Sequence, residues 1–379
     1  MSYSWIDHDL LILEKANWLR SVQQIPANFL NFGTNDYLGL AEDERLKEAA
    51  IAAIQQYGTG STGSRLLSGH RELHQELEDK IARLKRSEDA LVFSSGYLAN
   101  MGVVPALVGK RDLILADQYN HSCLVQGCRL SGAIVKEYHH LDCSHLESLL
   151  KQNRHIFQRC LILTNSVFSM TGDIAPLKQI TELADRYAAM VMVDEAHGTG
   201  VFGKNGSGVV EMLEIDKPIV QVGTLSKAIG SLGGFVASSA KVIKYLRSRT
   251  STWIYTTALS PADTAAAIKA IEIITTEPER RARLWRNIFY LADLLSVSQL
   301  KKEKNDRSFS PIFPIITKDI PAALSLAQTC WQNAIYAPAI RPPTVPTARI
   351  RLSLTAKHDP CDIDRVWEII NRNYLPEHS

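Results

Sequence analysis

Apolar residues along this chain recur in two rhythms. Stretches such as 44–58 ("ERLKEAAIAAIQQYG") and 71–86 ("RELHQELEDKIARLKR") space them three and four apart, as amphipathic helices do. Between residues 90 and 239, seven short apolar runs alternate with helical stretches, at 90–95, 113–117, 133–138, 160–165, 190–196, 219–224 and 233–239. Runs this short with no polar face read as strands buried on both sides, so the pattern predicts a mostly parallel seven-stranded sheet with helices on both faces. From about 285 onward, strand runs at 312–317 and 348–355 mix with a helical stretch at 323–334, a smaller α+β region. The predicted organisation is an N-terminal segment over 1–45, a large α/β domain over 46–284 and a small C-terminal domain over 285–379. Within the first segment, residues 1 to about 30 read as an amphipathic helix with a break at Pro26. The glycine- and serine-rich stretch 58–70 and the charged run 301–306 ("KKEKND") read as loops.

Composition narrows the classes. At 379 residues the chain exceeds one simple core, and 45% apolar with 22% charged residues is ordinary for a globular protein. A formal net charge of +2 gives no sign of a nucleic-acid partner. The six cysteines (123, 128, 143, 160, 330 and 361) form no CxxC pair and no metal-ligand spacing, which points to reduced thiols, a cytoplasmic setting and no bound metal. No apolar run approaches the ~20 residues that span a bilayer, and the first twenty residues lack a basic-then-apolar leader, so no membrane is expected.

The candidate chemistry sits just past predicted strands. "VMVDEAHGTG" (191–200) carries a buried-strand signal into Asp194 and places His197 three residues later. A carboxylate at the carboxyl end of such a strand lies where open α/β sheets bind ligands. One strand on, "VGTLSKAIGSLGG" (222–234) sets Lys227 among small residues, with Thr224 and Ser226 before it and glycines at 230, 233 and 234. Such a lysine is either a desolvated amine able to attack a carbonyl or an ordinary exposed lysine beside a flexible loop. "LVFSSGYLANMG" (91–102) is a strand, a small-residue turn and a helix start. Ser95, Gly96 and Tyr97 there either present N–H groups to a phosphate or form a plain βα turn with a serine N-cap. "ADQYNHSC" (116–123) puts His121 beyond another strand end, and "NSVFSMTGD" (165–173) does the same for the Ser169 hydroxyl. Together they match what pyridoxal phosphate requires: a lysine for the Schiff base, an acid against the pyridine nitrogen and a phosphate cup.

In family order, "NDYLGL", "GSTGSRLLSGH", "SSGYLAN", "VFSMTGD", "DEAHGTG", "GTLSKAIGSLGG", "YTTALSP" and "RPPTVP" followed by "ARIRLSLTA" make the chain resemble the α-oxoamine synthases, fold-type I pyridoxal phosphate enzymes, over roughly residues 30–370. The resemblance implies a homodimer that condenses an amino acid with an acyl thioester and releases CO2. "RPPTVP" and "SLTAKH" lean toward L-alanine with a pimeloyl thioester, carried by coenzyme A or by a carrier protein. Family rivals use glycine with acetyl or succinyl thioesters, or serine with a long acyl chain. A transaminase and a ligand-binding relative without activity are the readings outside it.

Carried over onto this chain, the resemblance makes Lys227 the Schiff-base lysine, Asp194 the partner of the pyridine nitrogen and His121 the group over the ring face. His197 and Ser169 would contact the phenolic oxygen side, and Gly96, Tyr97 and Thr224 the phosphate. Thr256 or Thr257 would reach the phosphate of the neighbouring subunit. Asn35 and Arg351 would orient the substrate carboxylate, with Thr344 near the acyl chain and Arg20 meeting the acyl substrate. Two departures stand out: Asn165 occupies a position where the family usually has Glu, and the segment between "PPTVP" and Arg351 is shorter.

Overall fold

The structure, a computed structural model, describes residues 3–297 and 309–374, and the charged run at 301–306 lies outside the described residues. Its strands are β1 (Leu30–Asn31), β2 (Asp89–Phe93), β3 (Leu113–Asp117), β4 (Ile134–Tyr138), β5 (Cys160–Asn165), β6 (Met190–Asp194), β7 (Val220–Thr224), β8 (Gly234–Ser238), β9 (Ile312–Ile316), β10 (Ile335–Tyr336), β11 (Ala339–Ile340) and β12 (Arg349–Ser353). The seven predicted strands of the middle region join one sheet in the order β2-β8-β7-β6-β5-β3-β4. Neighbours from β7 to β4 pair parallel, and β8 runs antiparallel to both β2 and β7. The mostly parallel α/β sheet read from the apolar runs is therefore the one observed.

Every residue of β3, β5, β7 and β8 is buried, the reason these runs show no polar alternation. β4, at the sheet edge, exposes Ile134 and Val135. The core gathers Leu91, Ile114, Leu161, Leu163, Met192, Val222 and Val236 with Val103, Val104 and Leu107 of the helix Gly96–Leu107. Each such fully buried side chain is worth about 1.5–3 kcal/mol of transfer free energy.

The chain divides into two compact units, Asn35–Ser169 with Asp173–Leu284, and Met1–Thr34 with Met170–Gly172 and Trp285–Ser379. The first holds the seven-stranded sheet. The second holds the antiparallel sheet β11-β12-β9 and the parallel pair β1-β10. The first 34 residues group with the C-terminal unit because β1 pairs with β10 there, and Arg341 donates to the Asn17 and Leu19 carbonyls. The helix read over about 1–30 is shorter, Trp5–Lys15. Asn17, at φ 55°, takes the left-handed conformation that commonly ends helices, and the helix buries none of its residues, so no packing extends it. No described helix is long and apolar enough to cross a membrane.

Candidate active site

The carboxyl ends of β5, β6 and β7 open onto a cavity of about 200 Å³. Its walls include Gly96, Tyr97, His121, Ser169, Asp194, His197, Thr224 and Lys227, so eight of the residues singled out in the sequence converge there. They come from separate loops because a parallel sheet delivers all its strand ends to one edge.

The two carboxylates at the carboxyl end of β6, Asp194 and Glu195, go opposite ways. Glu195 is fully buried; it accepts from Ser166 Oγ at 2.8 Å and from the Val209 and Val210 N–H groups at 3.2 and 2.9 Å, and so ties down the following turn. Asp194 faces the cavity. Its Oδ1 accepts from Ala196 N at 2.8 Å and its Oδ2 from Asn100 Nδ2 at 2.7 Å. Asn100 lies on the helix Gly96–Leu107, four residues past its start, and its Oδ1 is buried without a hydrogen-bond partner. Both orientations are therefore fixed before any ligand arrives.

Also lining the cavity, Lys227 Nζ lies 2.7 Å from His197 Nε2, and His197 Nδ1 lies 2.6 Å from the Tyr37 hydroxyl. Tyr37 OH in turn lies 3.1 Å from Asn35 Oδ1. Asn35 does not line the cavity but joins it through this chain of contacts.

His121 caps the helix Ser122–Ser131, its Nδ1 accepting from Cys123 N at 3.3 Å. Its backbone N–H donates to Asn165 Oδ1 at 3.1 Å. Asn165, where a Glu was the family expectation, is buried and anchors the His121 loop with a neutral amide; an ionised carboxylate there would need a paired cation. His121 keeps ring surface open to the cavity, yet desolvation holds its pKa below the ordinary imidazole value, which Asp194 opposes and Lys227 reinforces. Burial likewise pushes the neighbouring Cys123 thiol up to about 12, so it stands as a neutral thiol against the His121 ring.

The floor near Gly96 has the form of an anion cup. Ser95 Oγ accepts from Leu98 N at 3.1 Å, while the first N–H groups of a helix have no partner within it. A Cβ on Gly96 would lie 3.1 Å from Thr224 Cβ, and one on Gly234 would lie 2.3 Å from Gly96 N, so β8 and the helix start approach this closely only because both are glycine. The Thr224 hydroxyl donates to the Gly233 carbonyl at 2.9 Å, and the Ser226 hydroxyl stands beside it on the cavity wall.

These residues fit pyridoxal phosphate. A buried carboxylate held by two donors is costly without a cation, which a protonated pyridine supplies. The helix start accepts a dianion, and a lysine amine stands within the same cavity.

Thr256 and Thr257 belong to the same unit but do not line the cavity; Thr257 forms an isolated bridge with Ser64. Arg20, Thr344 and Arg351 belong to the other unit. There Arg20 Nη2 donates to Thr344 Oγ1 at 2.8 Å, and Arg351 is buried on β12 with its N–H on the Pro338 carbonyl. Sequence reasoning passed over Tyr37, Asn100 and Cys123. The available signals were a polar amide inside the apolar helix "GYLANMGVVPAL" and a tyrosine within "NDYLGL".

The profile of the family described as Aminotransferase class I and II matches residues 27–370. The chain is 53% identical over 380 residues to a protein of Trichormus variabilis provisionally named 8-amino-7-oxononanoate synthase, covering 97% of this chain and 98% of that one. A protein of Nostoc punctiforme with the same provisional name is 54% identical over 376 residues, covering 96% and 95%. Among solved structures, a serine palmitoyltransferase from S. paucimobilis with a bound PLP–myriocin aldimine superposes with a TM-score of 0.90 at 29% identity, covering 98% of this chain and 97% of that one. The 8-amino-7-oxononanoate synthase of Francisella tularensis gives a TM-score of 0.78 at 30% identity, covering 93% and 99%. With nearly the whole length matched, the chain belongs to the aminotransferase class I and II family, among the α-oxoamine synthases, and is a pyridoxal phosphate enzyme of fold type I.

Proposed function

We propose that the protein is an 8-amino-7-oxononanoate synthase, joining L-alanine to a pimeloyl thioester with release of CO2 and the thiol carrier, in biotin biosynthesis. The observation that carries this reading is identity above 50% over nearly the whole chain to relatives that bear that name. Pyridoxal phosphate supplies an electron sink for the carbanion at the amino acid's α-carbon. Asp194, oriented by Asn100 and Ala196, keeps the ring nitrogen positively charged. His121, whose pKa desolvation lowers, would stand against the ring face. His197 and Ser169 hold the phenolic oxygen side, and Gly96, Tyr97 and Thr224 the phosphate. Lys227 would hold the cofactor, and its amine, when free, would take the amino acid's α-proton on Nζ. Asn35 and Arg351 orient the substrate carboxylate, and Arg20 with Thr344 meets the acyl chain, where an arginine pairs well with a terminal carboxylate. In this reading the enzyme is a cytoplasmic homodimer whose Thr256 or Thr257 reaches the neighbour's phosphate.

A second reading, condensation of serine with a long acyl thioester, is favoured by the higher TM-score to serine palmitoyltransferase. Mass spectrometry of the product formed from mixed amino acids and acyl thioesters separates the two. Alanine with the pimeloyl thioester is expected to be consumed first; serine or glycine consumed ahead of alanine overturns the proposal.

A further inference from the structure

The Tyr37 hydroxyl carries one proton and has two acceptors in reach, His197 Nδ1 at 2.6 Å and Asn35 Oδ1 at 3.1 Å. Tyr37 is fully buried. On the far side of the imidazole, Nε2 faces Lys227 Nζ at 2.7 Å. A neutral imidazole has one donor and one acceptor nitrogen, and whichever role Nδ1 takes sets the other at Nε2.

We propose that Tyr37 is a positioning residue that sets the tautomer of His197 by turning its hydroxyl proton between Asn35 and His197. With the proton on Asn35 Oδ1, the phenol oxygen accepts from His197 Nδ1–H, and Nε2 is left bare to accept from the Lys227 ammonium. With the proton turned to His197 Nδ1, Nε2 carries the hydrogen and donates to an anionic oxygen, the role the proposed function gives His197 toward the cofactor's phenolate. One rotation of one O–H thus suits the same imidazole to a cation in the cofactor-free protein and to an anion in the loaded one. No bond between heavy atoms changes, and the imidazole proton is exchanged through the cavity.

The inference rests on the proposed placement of the cofactor at Lys227, and the test keeps the two apart. The holoenzyme is titrated by the visible absorbance of its bound cofactor without substrate, and borohydride reduction with peptide mapping locates the attachment. Tyr37→Phe removes the donor to Nδ1, weakens donation from Nε2, and should move the midpoint up by about one pH unit, the worth of a single hydrogen bond. In the same variant kcat should fall about tenfold with KM for alanine within about twofold, since the lost contact reaches the chemistry only through His197. Asn35→Ala removes an acceptor that still draws part of the Tyr37 proton in the loaded enzyme, shifts the hydroxyl further toward His197, and should move the midpoint down. The other titratable groups facing the cavity, Asp194, His121, Cys123 and Tyr97, are untouched in both variants, and general loosening would not give shifts of opposite sign. Midpoints that stay put or move the same way, with the cofactor on Lys227, overturn the role of Tyr37. Should Tyr37→Phe fail to fold, the Asn35→Ala direction decides alone: downward supports, unchanged or upward overturns. A cofactor mapped to another lysine overturns the site assignment itself.

Discussion

Two histidines stand past strand ends on the same sheet edge, and their surroundings differ. His197, after β6, lies between the Tyr37 phenol and the Lys227 amine on the wall of an open cavity. His140, after β4, lies between two carboxylates, with Asp117 Oδ1 2.9 Å from Nδ1 and Asp173 Oδ2 3.3 Å from Nε2. Tyr119 and Phe168 close over its ring, at centroid distances of 4.5 and 4.4 Å. Asp117 also accepts from the Tyr119 and Leu141 N–H groups, so its oxygens are used up locally. The first cluster sets an amine and an acid on the wall of a cavity. The second pairs its imidazole with two acids and lines no part of that cavity. A sheet edge supplies the place for chemistry, and the partners around each group decide whether it serves as a site or as a staple.

The sharpest way to break this comparison is at Lys227. If the amine by His197 carries the cofactor, Lys227→Ala should lower turnover by at least about 10⁴-fold, the upper range for a positioned proton-transfer group, and borohydride should no longer fix the cofactor to the chain. Retained covalent attachment would mean that another lysine carries it. Next in size is Asp194→Asn, expected to slow exchange of the alanine α-proton by about 10²–10⁴-fold while cofactor affinity changes far less. Near-normal exchange in that variant would remove Asp194 from its role against the ring. His140→Gln, by contrast, should leave both measurements unchanged.

The sheet was legible because strands buried on both faces are written as unbroken apolar runs, and β3, β5 and β6 begin and end where the sequence places them to within two residues. Asp194 and Lys227 were legible for the same reason, since each follows such a run. Asn100 was not, because its partner Asp194 is 94 residues away and only the fold brings the two together. Tyr37 and His197 are separated by 160 residues, and nothing local marks a phenol that will meet an imidazole. His140 carried the opposite risk: "ADQY" and "EYHH" look as promising as "VDEAH" until Asp173 is seen to close the site. At the N-terminus, periodic apolar residues suggested about 30 helical residues, but Leu10, Leu11 and Ile12 are exposed, and periodicity without a surface to pack on sustains only Trp5–Lys15.

A residue outside both clusters calibrates the scale. Arg20, resting on the Thr344 hydroxyl, is assigned to the acyl substrate and to neither histidine. Arg20→Ala should raise KM for the pimeloyl thioester by about tenfold, one charge-assisted hydrogen bond, and leave KM for alanine and the α-proton exchange rate nearly alone. Equal changes in both KM values would detach Arg20 from the acyl end.

The smallest effect is expected at the staple, and its sign follows from the charges. Desolvation opposes protonation of His140, but the hydrogen bonds to Asp117 and Asp173 and their charges outweigh it, raising the pKa from 6.5 to about 9. A histidine raised on folding contributes stability that is fully present below its unfolded value of 6.5 and is lost as pH climbs through about 9. Gln at this position keeps donor and acceptor atoms near the two carboxylates but carries no charge. Wild type should therefore melt a few degrees above His140→Gln at pH 6, at about 2–4 °C per kcal/mol for a domain of 150–250 residues, and the gap should narrow by pH 9.5. The narrowing follows the loss of the His140 proton between its two acids. A gap that is constant or widens toward high pH would show that the imidazole is not held charged between the two acids, and the contrast with His197 would lose its electrostatic basis.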